Sequence, residues 1–291
     1  ESNLLADSLS TPKASILCRN KLINIPSSNW KFGPWLASVD GKIPLTNNNV
    51  MDLSLTSLLR LESFENPELR IDAAIPLILS DQGLSLGELL ADLDLQPFPL
   101  ANMRSVLGQS VAGIFSAKGQ VKGPISSLST DLSVGLLNPQ FSGLRLQEEW
   151  RGDFSGLLRG GGELKMTSVG AAVPGQLNAS FGKNWSLADL KIKRLGGLIS
   201  LVKNDNKYLW NIKGFRLDRV ELALPFSKGF KRIFGKLSGK GDLQLTPLSL
   251  DGNLLVSYPR LMGFQLKQAE VKGNYSEGNY SLVGNIQPPD K

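Results

Sequence analysis

Two copies of one short motif hold the residues best placed to act as a nucleophile–base pair. Gly113-Ile-Phe-Ser-Ala-Lys-Gly119 and Gly235-Lys-Leu-Ser-Gly-Lys-Gly241 both read G-x-x-S-x-K-G, 122 residues apart. Residues two apart on a strand share a face, so Ser116 with Lys118, or Ser238 with Lys240, has the geometry of a Ser–Lys couple. The duplication favours a scaffolding role for the motif over a catalytic one. Asp92 with Asp94, and Glu148 with Glu149, are the candidate carboxylate pairs for glycoside hydrolysis. Adjacent strand residues point to opposite faces, and carboxylates two apart mark a solvated face, so neither pair is read as catalytic. Gly160-Gly161-Gly162 lacks the Lys-Ser/Thr that completes a phosphate loop and reads as a hairpin turn. Cys18 is a lone thiol, unable to close an intrachain disulfide, and reads as a half-buried small hydrophobe. The chain has no histidine. That removes the commonest general base and metal ligand. The expectation is no catalytic residue, no metal, no cofactor and no enzyme.

Composition narrows the function classes further. The 291 residues are 41% hydrophobic and 20% charged, with 30 Gly and a net charge of +6. A sizeable apolar interior is within reach of such a chain, and disorder is not expected. The basic residues are scattered singly, and the densest cluster is Lys191, Lys193 and Arg194. Basic clusters interleaved with aromatics are missing, so no nucleic-acid partner is expected. The longest apolar run, Ala73 to Leu79, is too short to cross a bilayer as a helix. Glu1 at the start and Pro288-Pro289 near the end suggest a fragment of a longer protein.

The elements that would position these residues are short strands. From Leu144 to Phe154, Leu144, Leu146, Trp150 and Phe154 fall on one face, and Arg145, Gln147, Glu149, Arg151 and Asp153 on the other. That period of two predicts a strand with one apolar and one wet face. Similar alternation recurs at Met51-Leu53-Leu55, Leu69 to Ile75, Leu128 to Leu136, Leu164-Met166, Leu177 to Phe181, Val220 to Leu224, Leu243-Leu245, Leu254 to Tyr258 and Tyr280-Leu282. Turns are expected at Gly160 to Gly162, Asn204 to Asn206, Asp251 to Asn253 and Glu277 to Asn279. Three stretches have helical spacing: Leu100 to Leu107, Phe226 to Phe234 and, more weakly, Ser57 to Phe64.

An internal repeat follows from the duplicated motif. Pro139-Gln-Phe-Ser-Gly-Leu-Arg-Leu146 matches Pro259-Arg-Leu-Met-Gly-Phe-Gln-Leu266 at nearly the same spacing as the two G-x-x-S-x-K-G motifs. Residues 93–154 and 217–275 therefore read as two copies of one module. A unit with one apolar face cannot bury it alone, and stacked copies can. The expected fold class is all-β: an elongated, repetitive β-sheet groove, a β-taco or open β-solenoid, with a few short amphipathic helices. The expected division is 1–92, an N-terminal β-repeat segment; 93–216, a first groove repeat; and 217–291, a second, truncated copy.

This pattern resembles the TamB (translocation and assembly module) family, including its cyanobacterial and chloroplast-envelope relatives. The strand Leu93 to Pro99, an amphipathic helix, the Gly-spaced strand Gly113 to Val121, Gly123-Pro124-Ile125 and the alternating strands that follow carry the resemblance over roughly residues 70–285. The second copy has Thr246-Pro247-Leu248 in place of the Gly-Pro. The resemblance implies a hydrophobic groove that carries phospholipid acyl chains between inner and outer membranes. It also implies a parent protein anchored in the inner membrane and spanning the periplasm or intermembrane space, with an Omp85-class barrel as partner. The alternative it implies is a scaffold for outer-membrane protein assembly and secretion through that partner. The residues expected to face the groove are Leu144, Leu146, Trp150, Leu164, Met166, Leu243, Leu245, Val256, Tyr258 and Leu266. An outer-membrane barrel is disfavoured by 7% aromatics and by charges on the wet faces of the strands.

Overall fold

The computed structural model describes residues 17–32, 35–45, 50–61, 69–103, 111–141, 143–158, 160–223, 228–245, 247–276 and 279–289. Strand dominates these residues, and helix among them is limited to short 3₁₀ turns at Leu100–Met103, Ile125–Ser127 and Lys183–Trp185. The chain is all-β, as its alternation dictates. The strands are β1 Leu17–Arg19, β2 Leu22–Phe32, β3 Trp35–Pro44, β4 Val50–Leu61, β5 Leu69–Ser80, β6 Gly83–Leu86, β7 Leu89–Pro99, β8 Val111–Gly123, β9 Ser129–Phe141, β10 Leu144–Leu146 and β11 Glu149–Leu157. They continue as β12 Gly161–Val169, β13 Gln176–Phe181, β14 Leu187–Arg194, β15 Gly197–Asn204, β16 Lys207–Arg216, β17 Val220–Ala223, β18 Phe230–Leu245, β19 Leu248–Leu261, β20 Phe264–Gln265, β21 Gln268–Ser276 and β22 Asn279–Gln287.

The chain divides into two compact units that interleave in sequence. Unit 1 holds residues 1–98, 116–134 and 155–159, and unit 2 holds 99–115, 135–154 and 160–291. In unit 1, β1 to β5 pair in order as antiparallel neighbours, and β5 then pairs with both β6 and β7. The register aligns Gly41, Leu55, Ala73 and Ala91 in one row, and Leu53 with Ile75 in the next. Ile75, Leu77 and Ala91 are buried on this face. Trp35 and Phe98 stack with ring centroids 5.7 Å apart. The opposite face is polar: Thr56 donates to Asp72 at 2.9 Å, and Arg70 pairs with the same carboxylate.

Between β9 and β18 the pairings close on themselves. β9, β11, β12, β13, β14, β15, β16, β18, β17 and β10 form a ten-strand ring, returning to β9 through Leu144↔Phe141. The open groove expected from the sequence is corrected here to a closed barrel with extra strands. The reason is β17, which pairs with β18 on one side and with β10 on the other, so no edge remains between them. Inward-facing side chains follow the register: Leu164 lies opposite Ala179, then Leu190, Leu201 and Trp210, and Met166 opposite Leu177, Ile192, Ile199 and Ile212. The outward face carries ion pairs such as Glu163–Lys165, Asp189–Lys191 and Glu149–Arg151. This is the inverse of a membrane barrel, whose apolar band faces outward.

The expected amphipathic helices are also corrected. Leu100–Met103 forms a single 3₁₀ turn, and residues 104–107 lie outside the described residues. Ser57 to Leu61 belongs to β4 and Phe230 to Phe234 to β18, while 62–64 and 226–227 lie outside the description. A spacing of i,i+4 fits a helix face and a strand face alike. Cross-strand pairing with β17 decides in favour of strand for Phe230. Arg145 and Arg260 sit over the Phe230 and Phe234 rings at 4.2 and 4.4 Å from the centroids. The single strand expected from Leu144 to Phe154 is broken at Gln147-Glu148, where β10 ends and β11 begins.

The repeat is visible in backbone geometry. Gly113 and Gly235 have φ of 122° and 131°, Asn138 and Tyr258 of 48° and 52°, and Gly143 and Gly263 of 82° and 87°. β9 pairs with β10 through Leu144↔Phe141 and Arg145↔Gln140, and β19 pairs with β20 through Phe264↔Leu261 and Gln265↔Arg260. Each bulge precedes a proline, Pro139 or Pro259. It turns the long strand into a short hairpin in the same way in both copies.

Candidate apolar site

The inward face of the ring does not end at β18. β19, β21 and β22 extend the sheet beyond it by consecutive antiparallel pairing. The register carries the Trp210 row outward as Gly241, Gly252, Gly273 and Leu282. It carries the Tyr208 row as Leu243, Leu250, Tyr275 and Tyr280, and the Ile212 row as Gly239, Leu254 and Val271. One apolar face thus leaves the closed ring and continues onto an open flap. Its members become steadily more exposed: Leu282 is 68%, Tyr280 77% and Ile286 65% accessible.

The glycine row shapes this face. A Cβ on Gly252 would stand 2.2 Å from the Trp210 ring, and one on Gly241 2.6 Å from it. Trp210 therefore lies across the glycines, filling space where they have no side chains. Beside it is an apolar hollow of about 260 Å³, lined chiefly by Trp210, Leu250, Leu254, Val271, Tyr275 and Tyr280. The other face of the same strands is polar, with Lys240, Asp242, Asp251, Asn253 and Lys272 around a wider hollow. The flap has one dry and one wet side. Asp251-Gly252-Asn253, expected as a turn, lies within β19, because Gly252 is needed under the tryptophan.

The expected groove residues separate into distinct groups. Trp150 and Met166 are buried within the ring wall, Trp150 at only 2% exposure. Leu164 is half-buried on the same inward face. Leu243 and Leu245 share a face of β18, half-buried and exposed respectively, and Val256 lies opposite Leu237. Leu144 is exposed and Leu146 half-buried on β10, opposite Leu222 and Val220. Tyr258 is exposed on the second bulge, and Leu266, half-buried, follows β20. The sequence reading missed Trp210, Leu250, Val271 and Ile286. The alternation Tyr208-Leu-Trp-Asn-Ile212 held the signal for Trp210.

The other chemical candidates are engaged elsewhere. Lys118 pairs with Asp94 at 3.4 Å, and Asp92 accepts from Gln120 at 2.9 Å. Ser238 Oγ accepts the Gly214 N–H at 3.0 Å. Cys18 is exposed, against the half-buried position expected for it. Glu148 and Glu149 part company: Glu149 pairs with Arg151 near the surface, whereas the Glu148 side chain is 1% exposed. Arg194 reaches Glu148 Oε1 at 2.8 Å and also donates to the Arg216 carbonyl at 2.9 Å, and Arg219 lies 3.9 Å from the same oxygen. Glu148 Oε2 has no hydrogen-bond partner among the described residues. Burial raises the Glu148 pKa above its ordinary range, against the opposing pull of Arg194 and Arg219. The described residues contain no group of three potential metal ligands. They contain no helix long and apolar enough to cross a membrane. Comparison with protein families, with curated proteins and with solved structures gives no match to this chain.

Proposed function

We propose that the apolar face of the β19–β21–β22 flap binds the acyl chains of phospholipids, and that the chain works in moving phospholipid between two membranes. The observation behind this reading is the continuity of that face. It starts among buried ring residues and runs, without a charged side chain, to Tyr280, Leu282 and Ile286 at the surface. An acyl chain in water is unfavourable by roughly 0.8 kcal/mol per CH₂. A dry strip offers it contact while the head group stays solvated or meets the polar strand edges. The absence of a polar anchor on the strip suits weak, even binding along a path. The resemblance to the TamB family supports the same reading. It would place a parent protein in the aqueous gap between membranes, anchored in the inner one and meeting an Omp85-class barrel at the outer.

Native mass spectrometry with lipid extraction, on the chain purified without detergent, tests this. Phospholipid is expected to co-purify. Leu282→Arg should remove most of it without lowering the melting temperature by more than about 1 °C, because the side chain is already exposed. A lipid-free wild-type chain overturns the proposal. Lipid retained in Leu282→Arg overturns the flap as its seat.

A further inference from the structure

Basic residues scattered singly along the sequence gather at one end of the ring. That end carries the β12–β13 loop, the β14–β15 turn, the link from β16 to β17 and the first half of β18. Its segments 143–148, 170–175, 193–197, 213–221 and 228–236 hold ten Lys and Arg against three Asp and Glu. The opposite end, in segments 160–163, 182–189, 202–209 and 242–245, holds three against four. The three acids of the basic end are taken by arginines: Glu148 by Arg194 at 2.8 Å, Asp218 by Arg216 at 2.8 Å, and Glu221 by Arg145. Lys193, Lys213 and Lys236 are exposed and have no acidic partner among the described residues.

Two apolar tips stand among these cations. β14 turns into β15 through Leu195-Gly196, with φ of 46° and 79°. Such a turn favours Asn-Gly or Asp-Gly, because a left-handed backbone strains a side chain that cannot bond to it. β15 leaves the other end of the ring through Asp205-Asn206, a polar pair. Leu195 is 38% exposed, so burial does not account for a leucine at this strained position. The neighbouring loop, Gly170-Ala-Ala-Val-Pro-Gly175, has no polar side chain, whereas surface loops ordinarily carry Asn, Asp or Ser. Its base is pinned: the Ser168 N–H donates to the Gly175 carbonyl at 2.9 Å, and Ser168 Oγ accepts the Gly175 N–H at 2.7 Å. Val173 at its tip is 57% exposed. Gln176 pairs with Lys193, which sets loop and turn side by side.

We infer that this end of the ring docks on the surface of an anionic phospholipid membrane. Leu195 and Val173 enter the head-group layer, and the lysines around them meet lipid phosphates. A lysine close to an anionic surface strengthens binding roughly fivefold, and the attraction fades beyond a Debye length of about 10 Å. Nucleic acid offers the same negative charge but nothing for the two apolar tips, so the membrane is the partner that both features fit. Docking needs no acyl chain on the flap, so Leu282→Arg should dock as the wild type does.

Flotation of the whole chain with lipid vesicles tests this. Vesicles of about 70% phosphatidylcholine and about 30% phosphatidylglycerol should carry the chain at about 50 mM salt and release it at about 500 mM. Binding to phosphatidylcholine alone should be at least about tenfold weaker. Lys193→Glu with Lys213→Glu should weaken binding to the anionic vesicles at least about tenfold. Leu195→Asn suits the turn better, so it should hold or raise the melting temperature while weakening binding about threefold or more. In a Cys18→Ser background, a polarity-sensitive dye on Val173→Cys should shift to the blue on these vesicles, and the same dye on Asp205→Cys should not. A chain that ignores the anionic vesicles, binds neutral ones equally well, or keeps full binding in Leu195→Asn overturns the inference. Preference for a DNA duplex over the vesicles also overturns it, and would mark a general polyanion surface.

Discussion

Arg194→Ala is expected to cost unit 2 about 3–5 kcal/mol at neutral pH, on the order of 10 °C in melting temperature for a unit of this size. Removing the arginine leaves Glu148 buried, with Arg219 at 3.9 Å as the remaining cation. The deficit should depend on pH with a definite sign. Glu148 already holds its proton more tightly in the folded chain than in the unfolded one. Its contribution to stability is therefore fully present below the unfolded pKa and lost as pH rises through the folded value. Arg194 is the strongest influence holding that value down. Without it the folded pKa rises further, and the loss extends over a wider window. Thermal melts of wild type and variant should converge as pH falls from 7 towards 5. A deficit that stays constant over that range would show that the cost lies elsewhere, for example in the bond to the Arg216 carbonyl. Replacing both partners by apolar residues, Glu148→Leu with Arg194→Met, should recover most of the stability, because a buried pair contributes little beyond its own desolvation.

Gly241→Val should be at least as damaging, while Gly273→Ala should be mild, although both glycines lie in one row. A Cβ on Gly241 would stand 2.0 Å from the Asp251 carbonyl oxygen and 2.7 Å from the Gly252 Cα, so the β18–β19 ladder would have to part. On Gly273 the nearest obstacle is the end of the Leu282 side chain, at 2.5 Å, with backbone no closer than 3.2 Å. That leucine is exposed and can turn away. Expected values are above about 3 kcal/mol for Gly241→Val and below about 1 kcal/mol for Gly273→Ala. Urea denaturation followed by tryptophan fluorescence reads both. Similar losses for the two would mean that the row is limited by strand conformation and not by what lies over it.

Strands were legible wherever alternation ran unbroken, as in Leu69 to Ile75 and Leu177 to Phe181, because a half-buried sheet writes its two faces directly into the sequence. Residues 230–234 misled because Phe230 and Phe234 share a face in either structure, and only cross-strand pairing, of Phe230 with β17 and of Phe234 with β19, settles which. Closure of the ring was invisible for the same reason: no local pattern says that Leu144 will meet Leu222. Glu148 read as one half of the Glu148–Glu149 carboxylate pair. Its partner Arg194 lies in what looked like a solvated basic cluster, and the ion pair exists only once β14 has been brought round the ring. The Asp251-Gly252-Asn253 signal was a true glycine requirement with the wrong cause. Tryptophan cover and a turn both demand a residue without a Cβ.

The short seam of the ring bears on how the chain is made. β10 has three residues and β17 four, and the Arg145–Glu221 pair that joins them at 2.8 Å spans 76 positions in sequence. A hairpin such as β15–β16 can form as soon as its few residues leave the ribosome. The seam closes a much longer loop for a handful of bonds, so it comes late and contributes little to the nucleus. Until residues 220–223 are synthesised, β10 has no second partner, and the inward face carrying Trp150 and Met166 lies open to any apolar surface nearby. The interval between synthesis of β10 and arrival of β17 is thus the period when that apolar face lacks its closing strand.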